Sequence, residues 1–334
     1  MMRWKALALI LMLTARTQSQ EIQRQFSTFT VAWWNVENLF DTRDDPRTQD
    51  DEFTPQGAMH WTQRKMWSKM EDMAKTLAMM DLPDVVGLAE VENKYVLRSL
   101  CEGTALGRAG YRYVHYDSPD RRGIDVALLY RADRFSVTSS RTVALSDSVE
   151  GFFTRDILVV EGVAASGDTV CLLLNHWPSK RGGDVSEEHR IEAARTLRSL
   201  MNDLYDAHPQ AAVIAMGDMN STADEAPISV GMGFGSDSIN PEGIKLLVQR
   251  LPKDWGSHKY QGQWNYIDQM FLLADERWQV QKMKLVRYDH LLVEESKRPG
   301  VRPKRTNVGP HFEGGISDHL PLYLSLKHRD EVNE

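Results

Sequence analysis

The sequence predicts an α/β fold in which two β-sheets pack face to face with helices outside. Three observations carry this. Short apolar runs rich in Val, Ile and Leu recur along the 334 residues, as in strands covered on both faces. Two longer stretches between them repeat apolar residues at three- and four-residue steps, the period of a helix. One pair of runs is joined by Ser166-Gly167-Asp168, a hairpin turn, so antiparallel pairs stand among the strand–helix alternation. No Ser/Gly-rich tract, long charge block or internal repeat marks a linker. One domain, residues 20–334, is expected after an N-terminal leader.

The leader is residues 1–19. Arg3 and Lys5 precede the apolar run Ala6 to Leu13, and small residues follow up to Ser19. This is the pattern of a signal peptide, and the run is too short to span a bilayer as a helix. Export to a periplasm or beyond is the expectation, with no stable membrane insertion after cleavage. Losing residues 1–19 takes three cations and no acid from a net charge of −7, leaving −10. Such a balance argues against broad non-specific binding to nucleic acid, which needs a basic surface, and still allows a phosphate substrate held locally by metal and a few cations.

In chain order, the strands are "TVAWWNV" (30–36), "DVVGL" (84–88), "DVALLY" (125–130), "ILVVEGVA" (157–164), "TVCLLLN" (169–175), "AAVIAM" (211–216), "YIDQMFLL" (266–273) and "LPLYLSL" (320–326). The first helix runs from Thr62 to Met80 with Met66, Met70, Met73, Leu77 and Met80 as its inner stripe. Its methionines and Trp67 read as core packing. Asn93 caps a shorter helix. The next helix opens at Ser186 as N-cap, with Glu187 and Glu188 where the dipole favours acids. Ile191, Ala194, Leu197, Leu200 or Met201, and Leu204 face inward. Cys101 and Cys171 both fall in core-like positions; export permits a disulfide, and two buried free thiols fit equally.

Polar residues end many of the apolar strands: Asn35, Glu90, Asn175-His176, Asp218 and Asn220, Asp268, and Asp318-His319. Loops at strand ends are where sites are built on rigid scaffolds. All are carboxylates, amides or imidazoles. Carboxylates without a Cys partner favour hard cations such as Mg²⁺ or Mn²⁺, with Ca²⁺ a further oxygen-seeking ion. There is no His-Glu-x-x-His, no GxxxxGK[ST] loop and no GxSxG elbow.

The segments "WNVENLF" (34–40), "GLAEVEN" (87–93), "NHWPSKRGG" (175–183), "GDMN" (217–220), "YIDQMF" (266–271) and "SDHLP" (317–321) resemble, in this order, the motifs of the endonuclease/exonuclease/phosphatase superfamily. That superfamily holds deoxyribonuclease-I-like nucleases, abasic-site endonucleases, sphingomyelinases and inositol-polyphosphate 5-phosphatases. The resemblance implies a four-layer sandwich of two facing mixed β-sheets flanked by helices. It also implies roles. Glu90 is the main metal-binding carboxylate, with Asn35 and Asp318 beside it. Asp218 orients or deprotonates the attacking water, and Asn220 holds a phosphate oxygen. His319 is the catalytic histidine with Asp268 as its partner. His176 is the second histidine of the nuclease and sphingomyelinase branches, set against the phosphate. Arg155 and Arg122 are expected phosphate contacts, and Asp125 is expected to orient His176. The basic segment "KRPGVRPKR" (297–305) reads as a solvated loop or a polyanion contact.

The expected activity is hydrolysis of a phosphodiester, DNA or RNA among the candidate substrates, by a metal-dependent monomeric enzyme. The alternatives are a phosphomonoesterase, a lipid phosphodiesterase of inositol-phosphate or sphingomyelinase type, and a catalytically silent phosphate-binding protein.

Overall fold

The computed structural model describes residues 28–145, 151–235, 237–296 and 298–328. The expected leader, residues 1–19, lies outside them. Twelve strands form two mixed six-stranded sheets. They are β1 (Thr28–Leu39), β2 (Val85–Val91), β3 (Tyr111–His115), β4 (Asp125–Arg131), β5 (Phe135–Val143), β6 (Ile157–Ala164), β7 (Thr169–His176), β8 (Ala212–Asp218), β9 (Lys245–Leu246), β10 (Asp268–Leu273), β11 (Trp278–Leu285) and β12 (Leu322–His328). The first sheet has the order β11-β12-β1-β2-β4-β3 and the second β5-β6-β7-β8-β10-β9. Each contains one parallel pair near its centre, β1 with β2 and β7 with β8; every other pairing is antiparallel.

The eight apolar runs of the sequence are the eight interior strands. The four strands that carry no such run, β3, β5, β9 and β11, are the four sheet edges. An edge strand has one neighbour and a wetter surface, so it needs no continuous apolar run. In β5 most side chains are exposed or half-buried.

Helix α1 (Gln63–Met79) starts at Thr62, whose side chain accepts from the Lys65 N–H. Met66, Met70, Met73 and Leu77 are buried as expected. Trp67 packs over Gly103, where a Cβ would lie 2.4 Å from the indole. Gly103 ends α2 (Lys94–Gly103), which Asn93 caps by accepting from the Tyr95 and Val96 N–H groups. Helix α3 (Gly183–Ala207) corrects the sequence reading. It begins three residues before Ser186, because a 3₁₀ turn at Lys180–Gly182 runs straight into it. Ser186 is buried inside the first turns; its hydroxyl donates to the Ser179 carbonyl and accepts from Arg190 at 2.9 Å. Helices α1 and α2 lie on the side of the first sheet and α3 packs on the second. Among the described residues no helix is long and apolar enough to cross a membrane. Cys101 and Cys171 are buried and free, and burial pushes both thiols up to about 12.

The sheets approach closely at Gly87 on β2. A Cβ there would come 2.8 Å from Trp33, 3.0 Å from Met216 and 3.1 Å from Leu174. That contact joins the two parallel pairs, and their carboxyl ends carry the polar cluster described next.

Candidate active site

In the second sheet the parallel ladder runs unbroken until His176 stands opposite Asp218. Asp268, the first residue of β10, stands opposite Asp218 on its other side. Three polar side chains thus arrive side by side because their strands are in register. The first sheet is irregular at the same level. Between the pairs Asn35–Ala89 and Leu39–Val91, β1 carries extra residues. Glu90 is itself the extra residue of β2 against β4. Glu37, Asn38 and Glu90 adopt positive φ of 48°, 58° and 63°. Non-glycine residues reach this region at a cost and cluster where function over-determines the backbone.

These ends converge. The Asn35 Nδ2 group donates to Asp218 Oδ2 at 3.0 Å and faces Glu90 Oε1 at 3.4 Å. His176 Nε2 lies 3.7 Å from Asp218 and 4.0 Å from Glu90. His319 Nδ1 is bonded to Asp268 Oδ2 at 2.7 Å. Its Nε2 then points between Asp218 and Asp318, each at 3.8 Å. Asp268 is fixed on its other oxygen by the Trp33 indole N–H at 2.8 Å. The Trp34 indole donates to the His319 carbonyl at 3.0 Å. Adjacent tryptophans in β1 therefore brace both members of the His319–Asp268 pair. Ser317 adds a third tie: its hydroxyl donates to the Asn35 carbonyl and accepts from the His319 N–H.

The two histidines are pushed in opposite directions. Burial opposes charge on His319, but the carboxylates of Asp268, Asp218 and Asp318 outweigh it and hold the ring well above the ordinary histidine value. Burial pushes His176 well below that value, and the Arg155, Arg122 and His319 charges push it further. Burial, with Asp268 beside it, raises Asp218 to about 7 in spite of the His319 charge. Neighbouring groups with titrations driven apart in this way can serve as acid and base.

Asn220 has a positive φ of 47° just beyond β8. Its N–H donates to Asp218 Oδ1, and its side-chain amide donates to the Trp177 carbonyl at 3.1 Å. Arg122 stands half exposed at the rim, bonded to Asn38 and 3.9 Å from Glu90. Arg155 departs from expectation. Its guanidinium is buried, paired with Asp120 at 2.8 Å and bonded to the Trp177 carbonyl at 2.9 Å. It braces the strand end that carries His176, and it is not presented to a substrate. Asp125 also departs: it binds His115 at 3.1 Å, and the buried Nδ1 of His176 has no hydrogen-bond partner among the described residues. Asn175 is spent on backbone and on the Trp177 indole. In the basic segment Arg298, Arg302 and Arg305 pair with Glu295, Glu313 and Asp318; Lys297 lies outside the described residues.

The donor set suits a hard cation. Glu90, Asp218 and Asp318 offer oxygens and no thiolate is near. Glu90 is held by the Asn38 N–H on Oε2, and its Oε1 has the long Asn35 contact and no shorter hydrogen bond among the described residues. Asn35 fits a different part from the one expected. Its oxygen accepts from the Glu37 N–H and its nitrogen faces two carboxylates, so it bridges them. Asp318 gives one oxygen to Arg305 at 2.9 Å.

Three further residues belong to the site. Glu37 is buried, accepts from the Thr306 N–H, and is raised to about 8 by burial and by Asp318. Lys69 lies beneath it on α1. His258 packs at a tilt against His319 with ring centroids 4.9 Å apart, and burial and the His319 charge lower it to about 4. Lys69 had a signal in the sequence, a lysine at a step of three from Met66 and four from Met73 within the apolar stripe. Glu37 stood inside "WNVENLF". His258 had none, since its place depends on a short bridge to His319.

The fold is shared with known proteins. One is an endonuclease/exonuclease/phosphatase family protein from Bacteroides thetaiotaomicron, with a TM-score of 0.59 and 16% identity, covering 92% of this chain and 97% of that one. Another is D. rerio TDP2 complexed with single-strand DNA product, at 0.58 and 16%, covering 90% and 99%. A third is the mannosyl-6-phosphatase of Bacteroides thetaiotaomicron, at 0.55 and 16%, covering 89% and 99%. No curated protein sequence matches the chain significantly. The profile of the Endonuclease/Exonuclease/phosphatase family matches residues 30–328. The chain belongs to that family of metal-dependent phosphoric ester hydrolases.

Proposed function

We propose that this chain is an exported phosphodiesterase, with nucleic acid or another phosphodiester as substrate, and that it works with Mg²⁺ or Mn²⁺. Residues 1–19 serve as the cleaved signal, and residues 20–334 act as one monomeric catalytic domain. The observation that carries the reading is the pair of buried histidines on one acidic centre, both within 3.8 Å of the same Asp218 oxygen.

Glu90, with Asp318 as a further oxygen donor, would hold the divalent cation, which would supply charge stabilisation at phosphoryl oxygens. The protein's own groups do the rest. Asp218, raised by burial, takes a proton from the attacking water. His319, locked through Nδ1 to Asp268, presents a charged Nε2–H to phosphoryl oxygen. Asn220 offers its remaining amide hydrogen to the same group, and Arg122 adds charge at the rim. His176 is placed to hydrogen-bond the phosphate opposite His319. Arg155 is spent on Asp120, so among the expected arginines only Arg122 faces the substrate. That favours the single charge of a diester over the double charge of a monoester.

A phosphomonoesterase acting on a small phosphorylated polyol is the second reading. It is supported by the internal pairing of Arg298, Arg302 and Arg305, which leaves little basic track for a long polyanion. Turnover of plasmid DNA, RNA and bis-p-nitrophenyl phosphate would be compared with that of p-nitrophenyl phosphate and inositol phosphates, with and without Mg²⁺ or Mn²⁺. The diester reading expects metal-dependent cleavage of the first group, lost in His319→Ala. Phosphate release from monoesters alone would replace it with the second reading. N-terminal sequencing of exported protein tests the leader; a retained Met1 would sink that part.

A further inference from the structure

Lys69 is buried, with 2% of its surface exposed. A lysine so placed must be paired or neutral. Its ammonium donates to the Glu37 carbonyl and, at 2.7 Å, to the Thr306 hydroxyl. The Glu37 carbonyl belongs to the Glu37–Asn38 peptide. The other end of that peptide, the Asn38 N–H, donates to Glu90 Oε2 at 3.0 Å. One planar amide thus connects a buried cation to the Glu90 carboxylate. The carboxylates of Glu37, Glu90 and Asp318 all favour the charged ammonium against its burial, which lowers Lys69 to about 8.

We infer that Lys69 is a positioning residue that sets how tightly Glu90 holds a divalent cation, acting through the Glu37–Asn38 peptide. The inference rests on the reading that Glu90 takes the ion. A cation at the carbonyl end polarises the amide and strengthens the N–H bond to Oε2. Glu90 is thereby fixed with Oε1 turned to the site, and part of its charge is offset before any ion arrives. An incoming dication meets a weaker negative potential than the same carboxylates would present alone. Lys69 therefore moderates the affinity of the Glu90 site, and its charge outweighs its part in tethering the peptide.

The sign separates this role from a merely structural one. Loss of a structural tether frees Glu90 and weakens metal binding; loss of a moderating charge tightens it. Calorimetric titration of the purified chain with Mn²⁺, without substrate, reads the difference. Lys69→Met, checked for folding by circular dichroism, is expected to lower the Mn²⁺ Kd by about ten-fold, the scale of a unit charge and a dication separated by several ångströms in a strongly screened, water-like dielectric. Unchanged or weaker binding in folded Lys69→Met overturns the inference. Should Lys69→Met not fold, Lys69→Gln keeps a donor for the Glu37 carbonyl, removes the charge, and is held to the same outcome. Glu90→Gln is titrated alongside. If the unaltered chain binds no Mn²⁺, or Glu90→Gln binds it undiminished, the Glu90 reading falls and the inference with it. Glu90-dependent binding without tightening removes the inference alone.

Discussion

The first sheet brings Asn35 and Glu90 to the site through broken ladders, whereas the second brings His176 and Asp218 as paired residues of an unbroken one. In the first, left-handed residues turn a backbone N–H toward a carboxylate, as Asn38 does for Glu90. In the second, register alone sets Asp268, Asp218 and His176 in a row. The difference fits the two jobs proposed for these residues. An ion site needs one carboxylate oxygen held and the other left available, which an irregular backbone provides. Proton handling needs groups at fixed separations, which a regular ladder provides without strain.

The strongest way to break the comparison is to strike the regular side. His319→Ala or Asp218→Asn should each reduce kcat by about three orders of magnitude, the scale of losing a charge-stabilising or general-base group. Circular dichroism should stay unchanged and Mn²⁺ should still bind. A loss below ten-fold would move the chemistry elsewhere.

Glu90→Gln strikes the irregular side. It should cost about 100-fold in activity at low metal, with part of the loss recovered by raising Mg²⁺. Equal loss at every metal concentration would mean that Glu90 acts in the chemical step.

Asp268→Asn sharpens the comparison through pH. Asp268 raises His319, so its neutral replacement lets the ring lose its proton at lower pH. The alkaline limb of the rate profile should move to lower pH, and kcat should fall about 10- to 100-fold. Stability gives a second reading. The folded value of His319 lies above the unfolded one near 6.5. The pair's contribution is therefore full below that value and lost as pH rises through the raised one. An unmoved limb in Asp268→Asn would deny the pairing any role in catalysis.

Gly87→Ala tests the joint between the halves. Its Cβ has no room between Trp33, Met216 and Leu174. The cost should be about 1–3 kcal/mol in chemical denaturation; a neutral result would show that the sheets part easily there. The smallest expected effect concerns the thiols. Burial holds both near 12, so neither Cys101 nor Cys171 should react with a disulfide reagent at pH 8 until the chain is unfolded. Fast labelling in the folded state would contradict their burial.

The interior of the fold was legible because interior strands must be apolar on both faces. "ILVVEGVA" is β6 residue for residue. The edges were not legible, since a strand with one neighbour can be as polar as β5 or β11. The start of α3 was misread because Ser186 has the chemistry of a cap, and its burial beside Arg190 is set by packing.

Residue types at strand ends were determined by the sequence alone, and they bound the chemistry to oxygen donors and imidazoles at phosphate. Which of those groups remain free was decided only in three dimensions. Arg155 and Arg122 read alike along the chain, yet one is locked on Asp120 and the other stands at the rim. Asn35 became a bridge because two carboxylates from different sheets flank its nitrogen. Lys69, 32 residues from Glu37 in sequence, meets it because α1 lies beside the irregular end of β1. Hydrogen bonds and charges act over a few ångströms in space, and sequence distance carries no information about that separation until the chain is folded.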